Sequence, residues 1–154
     1  MCIRDRSTGD ASTWKAAYTG NGPPYGEEYV EAGLELGIID EAQEVGAFRS
    51  QLINNLNGKI IRIDKETGEG LASNPFFDES APSSARSRVW ALGFRNAYRI
   101  AMRPNSGSTD PSDGIPGSIY IGDVGEAKWE ELNIANRPGT VSYTHLTLPT
   151  ILLV

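Results

Sequence analysis

Residues 88–102 have the sequence RVWALGFRNAYRIAM, and this stretch decides the fold class of the chain. Its first part, residues 88–93, is apolar and has the length of a strand. Its last part, residues 98–102, alternates larger and smaller side chains and is followed by Pro104, which cannot donate to a hydrogen-bonded ladder. Both parts therefore predict β-strands, separated by a short connection.

Similar short segments occur on both sides of this stretch. Residues 58–64 are rich in β-branched side chains and end at a turn over residues 65–70, and two more predicted strands lie at residues 118–122 and 129–134. The 17 glycines and 9 prolines favour many turns over long helices. Short strands without alternating helices predict an antiparallel, all-β architecture. A β-sandwich and a β-propeller both fit this pattern.

One segment has a different period. Between residues 27 and 48, apolar side chains recur at four-residue steps among acidic residues, which predicts a short amphipathic helix. Two glycines inside the pattern weaken that helix. We expect a short helical insertion packed on the surface of the β-structure. The apolar residues that define it are Val30, Leu34, Ile38 and Ala42.

The charge and composition of the chain exclude several classes of protein. The formal net charge is −6, which argues against a nucleic-acid binder, because such a protein presents a basic surface to the phosphates. No apolar run reaches the roughly 18 residues of a membrane span. Residues 1–10 contain no apolar stretch of the kind that a secretory signal has. If the protein is exported, we expect its signal to be missing from this sequence.

The two ends of the chain match translated sequencing adapters. The transposase end used in library preparation translates as Met-Cys-Ile-Arg-Asp, which is the sequence of residues 1–5. Its reverse complement with the attached primer translates as Val-Ser-Tyr-Thr-His-Leu-Thr-Leu-Pro-Thr, which is the sequence of residues 141–150. We therefore expect residues 1–6 and 141–154 to be artefacts and residues 7–140 to be the segment of protein.

This expectation has a chemical consequence. Cys2 is the only cysteine and His145 the only histidine of the chain, and both lie in the expected artefacts. The remaining segment then has no thiol nucleophile, no cysteine or histidine ligand for zinc, no disulfide and no histidine base.

Several short motifs, in a fixed order, carry a resemblance to a known family. Residues 7–138 resemble the glucose/sorbosone dehydrogenase family, which includes the soluble sugar dehydrogenases that use pyrroloquinoline quinone (PQQ). Each motif is short, and the specificity comes from their order and spacing. The motifs are STGD at 7–10, LNGKIIRID at 56–64, NPF at 74–76, VWALGFRN at 89–96, IYIGDVG at 119–125 and WEELN at 129–133.

The resemblance implies a fold more specific than the strand pattern does. The family fold is a six-bladed β-propeller, in which a blade has four strands in roughly 40–50 residues. The segment would therefore supply about two blades of a partial propeller, with the helical insertion between strands.

The resemblance also implies cofactor-binding residues at Arg95 and Asn96. In the family, the arginine and asparagine of this motif reach into the central channel and contact the quinone. Guanidinium and amide donors match the carboxylates and carbonyl oxygens of PQQ. Without the family, the residues alone favour an Arg95 that pairs with a carboxylate and an Asn96 that caps a turn.

The turn at residues 123–126 is where the family's calcium-dependent enzymes present two backbone carbonyls to the ion. By position these belong to Gly125 and Glu126, and carbonyl ligation does not depend on the side chain. Relatives with bound quinone typically have Gly-Pro at this place, whereas this chain has Gly-Glu. The residues alone favour an Asp123 that caps a strand end. The family reading requires this turn and the Arg95–Asn96 pair to face one cavity.

Asp10 matches the aspartate that orients the family's catalytic histidine. A second carboxylate of this kind fixes the imidazole tautomer and raises its basicity. The histidine of the family precedes this motif, so Asp10 would have nothing to orient within this chain, and we expect the chain alone to be inactive.

Two functions follow from these observations. The first is a piece of a PQQ- and calcium-dependent sugar dehydrogenase, which transfers hydride from a hydroxyl group of a sugar or alcohol to PQQ. The second is a non-enzymatic, secreted propeller that acts as a binding or scaffolding module, because one fold serves many functions. The resemblance implies a periplasmic or secreted protein in either case.

Overall fold

The computed structural model describes residues 3–9, 32–38, 40, 42, 46–125, 130–140 and 147–148. Within these residues the chain forms seven strands and several short helical segments. The strands are β1 (Ile3–Ser7), β2 (Lys59–Asp64), β3 (Val89–Leu92), β4 (Ala97–Met102), β5 (Ile119–Asp123), β6 (Glu130–Ala135) and β7 (Thr147–Leu148). The helical segments are a four-residue turn at 32–35, the 3₁₀ helices Gly46–Gln51 and Pro111–Asp113, and the α-helix Ala85–Arg88.

The strands form two antiparallel sheets that follow one another along the chain. The first sheet has the order β1-β2-β3 and the second β4-β5-β6-β7, so neighbours in sequence are also neighbours in space. The five strands predicted between residues 58 and 134 are all present within one or two residues of their predicted bounds. The predicted all-β class is therefore confirmed, and the two successive sheets agree with two partial blades of a propeller.

The described part of the predicted helical insertion contains one short helical turn. Residues 32–35 are helical, and the segment then turns at Gly37, which has a φ of +65°. The side chain of Ile38, which we expected to pack inward, is 73% exposed. Glycines inside the pattern account for the early end of the helix, because glycine costs about 1 kcal/mol relative to alanine in a helix interior. Residues 27–31 and 43–45 lie outside the described residues.

Both segments that match adapter sequence contribute a strand. The backbone of β1 pairs with β2, with Ser7 opposite Ile60, and β7 pairs with β6, with Thr147 opposite Glu131. The expected origin of residues 1–6 and 141–154 concerns the gene and stays a prediction.

The core lies where the inner faces of the strands meet. Trp90 is 1% exposed and is the largest of the fully buried side chains, and the guanidinium carbon of Arg62 lies 5.1 Å from the centre of its ring. Burial of a large apolar side chain contributes about 1.5–3 kcal/mol, so these residues dominate the stability of the sheets. The rest of this cluster consists of Ile60, Ala91, Phe94, Ala97, Ile119, Ile121 and Ala135.

The segment that follows β6 returns to the first sheet. The N–H of Gly139 donates to the carbonyl of Trp90 at 2.9 Å, and the N–H of Leu92 donates to the carbonyl of Thr140 at 3.1 Å. These bonds cover the outer edge of β3. None of the described helices has the length and apolar character needed to cross a bilayer.

Candidate functional site

Arg95 and Asn96 lie in the connection that leads from β3 in the first sheet to β4 in the second. The backbone of this connection is fixed by neighbouring loops, since the N–H of Gly93 donates to the carbonyl of Ser50 at 3.0 Å and that of Phe94 to Gly58 at 3.1 Å. The Phe94 side chain is completely buried in the core. The two predicted cofactor-binding residues therefore follow directly after an anchored segment.

The carboxylate of Asp123, the last residue of β5, contacts this connection. Its Oδ2 accepts the backbone N–H of Arg95 at 3.0 Å, and its Oδ1 accepts the backbone N–H of Asn96 at 2.6 Å. The N–H of Val124 in turn donates to the carbonyl of Asn96 at 3.0 Å. Asp123 is 4% exposed, so one buried carboxylate joins the end of β5 to the connection between the sheets.

The side chain of Arg95 in turn contacts the backbone that follows Asp123. Its Nη1 donates to the carbonyls of Val124 and Gly125, both at 3.0 Å. The N–H of Gly125 donates to Oε2 of Glu130 at 3.3 Å, so the Gly125 residue is held through both of its backbone polar groups. A guanidinium has five N–H donors. With both Nη1 donors engaged, the Nε and Nη2 edge of Arg95 makes no hydrogen bond within the described part of the chain.

Asn96 presents its side chain to solvent at the same place. The residue is exposed, and its carboxamide forms no hydrogen bond with the residues that the structure describes. Gly9 forms an isolated antiparallel bridge with Asn96, so the motif that precedes Asp10 also reaches this connection. Three motifs that are far apart in sequence therefore meet around Arg95 and Asn96.

Burial dominates the electrostatics of Asp123. It raises the pKa of the Asp123 carboxyl above its usual range, and the backbone N–H groups of Arg95 and Asn96 oppose this shift only in part. The negative charge of Glu131, which lies opposite Asp123 in the β5–β6 ladder, raises the pKa further, and the charge of Arg95 lowers it.

Comparison with known proteins places this site in a family. The sequence model of the Glucose / Sorbosone dehydrogenase family matches residues 32–140, which is more than half of the chain. The chain belongs to the glucose/sorbosone dehydrogenase family.

Two solved structures are similar to this member of the glucose/sorbosone dehydrogenase family. The PQQ-bound form of aldose sugar dehydrogenase from Streptomyces coelicolor is 28% identical, with a TM-score of 0.44, and the match covers 63% of this chain and 23% of that one. The apo-form of the soluble aldose sugar dehydrogenase from Escherichia coli is 27% identical, with a TM-score of 0.40, over 57% of this chain and 21% of that one. The chain thus spans less than a quarter of either protein.

Three of the five predicted site residues of this family member meet in the structure. Arg95, Asn96 and Gly125 belong to one hydrogen-bonded cluster, whereas Asp10 and Glu126 lie outside the described residues. The partners differ from those that the residues alone favoured. The Arg95 guanidinium binds backbone carbonyls and not a carboxylate. Asp123 accepts N–H groups from a segment 27 and 28 positions away instead of capping its own turn.

Sequence reasoning missed the structural role of Asp123. The one available indication was a short acidic side chain at the predicted end of a strand, which is typical of a local cap. Its actual partners could not be inferred, because they depend on how β5 pairs with β4. Within the described residues, no three histidine, cysteine, aspartate or glutamate side chains come close enough to hold a metal ion together.

Proposed function

We propose that this chain is part of a PQQ-dependent sugar dehydrogenase, in which Arg95 and Asn96 bind the quinone cofactor. The observation that carries the proposal is the orientation of Arg95. One guanidinium nitrogen is bound to the carbonyls of Val124 and Gly125, and the opposite Nε and Nη2 edge keeps its donors available.

The donors at this site fit the chemistry of PQQ. The free edge of an oriented guanidinium matches a carboxylate with two parallel hydrogen bonds, and this bidentate pairing is stronger and more directional than a single bond. The exposed Asn96 carboxamide lies beside Arg95 and offers both a donor and an acceptor for a carbonyl oxygen. When bound, PQQ supplies the hydride acceptor for oxidation of a sugar hydroxyl. Family membership and the PQQ-bound relative support this choice of ligand.

The proposal includes a calcium ion, for which one described residue, Gly125, could supply a ligand. The carbonyl oxygen of Gly125 has two lone pairs and gives one to Nη1 of Arg95, so one remains for a cation. Calcium takes six to eight oxygen ligands. Gly125 could therefore supply one oxygen ligand of the calcium ion, and Glu126 and the oxygens of the cofactor would supply others.

The remaining parts of the proposal come from the family. Asp10 would orient a histidine base supplied from outside residues 7–140, the substrate would be an aldose or a related alcohol, and the protein would work in the periplasm or outside the cell. On this proposal the present chain binds the cofactor without turnover.

Binding of PQQ to the full chain tests the proposal. In equilibrium dialysis with PQQ and calcium, we expect saturable binding, and we expect Arg95→Ala to weaken it about tenfold or more, since a hydrogen-bonded ion pair contributes about 1.5–3 kcal/mol. Arg103→Ala is the matched control, because it removes the same charge from an exposed arginine whose side chain forms no hydrogen bond or ion pair with the described residues.

Two outcomes would contradict the proposal. Equal loss of affinity in Arg95→Ala and Arg103→Ala would mean that PQQ responds only to net charge. Absence of binding to the wild-type chain, with no sugar-dependent dye reduction when the chain is extended to a whole propeller, would favour the alternative of a secreted binding or scaffolding module.

A further inference from the structure

We propose that Asp123 is a positioning residue of this site, which holds the backbone of Arg95 and Asn96 and thereby sets where their side chains lie. The inference rests on the proposed function, because it concerns how the cofactor-binding donors are arranged. It assigns to Asp123 no contact with the cofactor.

The geometry favours positioning over direct contact. Each carboxylate oxygen of Asp123 accepts one backbone N–H from two consecutive residues, Arg95 and Asn96. Two hydrogen bonds to one rigid, planar carboxylate fix both the position and the rotation of the backbone at Arg95 and Asn96. The residue is almost completely buried, which favours contacts within the protein over contact with a ligand. A carboxylate that accepts backbone N–H groups forms stronger bonds than a neutral acceptor does.

The contacts between the two segments are reciprocal. Asp123 binds the backbone beside Arg95, and the Arg95 side chain binds the backbone that follows Asp123, at Val124 and Gly125. The N–H of Val124 adds a direct bond to the carbonyl of Asn96. Because each segment is held through the other's side chain, loss of the Asp123 carboxylate releases the donors and also loosens the Gly125 carbonyl.

The irregular start of β4 explains why a side chain is needed here. The register of β4 with β5 shifts between Ala97 and Arg99, and the ladder ends at the pair Ala97–Asp123, so Arg95 and Asn96 lie before the first paired residue of β4. Their backbone N–H groups therefore need acceptors other than those of the ladder. Asp123 supplies the acceptors that a regular strand would have supplied.

Asp64 provides a matched control within the same chain. It also ends a strand, and its Oδ1 accepts the backbone N–H groups of Glu66 at 2.8 Å and Thr67 at 3.0 Å. Those partners belong to its own exposed turn. Asp123→Asn and Asp64→Asn therefore make the same chemical change to two capping carboxylates, only one of which contacts the candidate site.

Two measurements on the full chain test the inference. In Asp123→Asn, the carboxamide nitrogen faces one of the two N–H donors, so we expect amide hydrogen exchange of Arg95 and Asn96 to accelerate about tenfold, which corresponds to loss of about one hydrogen bond. We expect PQQ to bind about tenfold more weakly. In Asp64→Asn, we expect exchange at Arg95 and Asn96 and the affinity for PQQ to stay within about twofold of wild type.

The outcomes separate this inference from the proposed function. Unchanged exchange at Arg95 and Asn96 in Asp123→Asn would overturn the positioning role, and so would an equal loss of PQQ affinity in both variants. If the wild-type chain does not bind PQQ and the chain extended to a whole propeller shows no sugar-dependent dye reduction, the proposed function fails, and the exchange measurement alone decides whether Asp123 holds the segment. If Asp123→Asn does not fold, Asp123→Ser, which keeps one acceptor, replaces it in both measurements.

Discussion

Lys59 buries an ammonium group among backbone carbonyls, and no carboxylate of the described residues forms an ion pair with it. Its Nζ donates to the carbonyls of Arg49 at 3.2 Å and Ser50 at 2.8 Å, and also to that of Asn57. The side chain is completely buried, and burial lowers the pKa of Lys59 to about 8. Lys59 therefore joins the start of β2 to the 3₁₀ helix Gly46–Gln51. Burial of its charged form costs free energy of folding, and this cost disappears when the side chain is neutral.

This cost predicts a specific dependence of stability on pH. Between pH 8 and the unfolded value of 10.5, the unfolded chain binds more protons at Lys59 than the folded chain, so stability should rise with pH through this window and be flat below it. We expect a rise of about 1–3 kcal/mol in urea unfolding after allowance for solvent screening.

Lys59→Met should abolish this rise, and Lys65→Met should keep it. Lys65 is a partly exposed lysine that pairs with Glu66, so Lys65→Met removes a lysine while the buried Lys59 stays in place. Identical pH profiles for the wild type and Lys59→Met between pH 8 and 10.5 would show that the ammonium is not buried in the folded chain.

The turn that precedes β2 depends on a glycine for two separate reasons. Gly58 has a φ of +64°, and a Cβ placed on it would lie 2.4 Å from the carbonyl oxygen of Phe94 and 2.4 Å from Cβ of Ser50. Gly68, in the turn that follows β2, has a φ of +72° but nothing within 4 Å of such a Cβ. The two positions share the backbone strain and differ in packing.

Gly58→Ala should therefore destabilise the chain more than Gly68→Ala. We expect Gly68→Ala to cost about 1–2 kcal/mol from backbone strain alone, and Gly58→Ala to cost a further 1–3 kcal/mol or so from overpacking. Chemical denaturation of both variants measures the difference. Equal losses would show that the loop around Ser50 yields to the added methyl group.

The strands were predictable from sequence because each has its own local pattern. β-branched residues at 58–64 and alternation at 98–102 each indicate a strand without reference to the rest of the chain. The family motif also indicated Arg95 and Asn96. The contacts of Asp123 and Lys59 were not predictable, because each side chain reaches backbone groups whose position depends on tertiary pairing. The short helix within 27–48 was also predictable, and its described part ends before Gly37, one of the two glycines that interrupt the pattern.

Among the described residues, one strand lies at the edge of a sheet without a further strand beside it. In the second sheet, β4 lies at the end of the strand order, and four of its six residues are exposed to solvent. Met102 on this strand is 47% exposed. An edge strand with exposed apolar side chains is a template for pairing with another chain. The sequence predicts poor solubility for the same reason, since an incomplete propeller leaves strands unpaired.

Met102→Lys should reduce self-association of the chain. A lysine on an edge strand disfavours pairing with a second copy, so we expect the associated fraction in light scattering to fall about threefold or more. Ile115→Lys is the control, because it places the same charge on an exposed apolar residue in a loop. A wild-type chain that is monomeric and unfolds in one sharp thermal transition would contradict the expectation.

The return of residues 139–140 to β3 sets a practical limit for any shortened version of this protein. Gly139 and Thr140 complete the hydrogen bonds of Trp90 and Leu92, and Leu92 lies only three positions before Arg95. A version trimmed directly after Ala135 would keep every strand of the second sheet up to β6 and still leave backbone groups next to the arginine without partners. The boundary that preserves the arginine's surroundings therefore lies after Thr140.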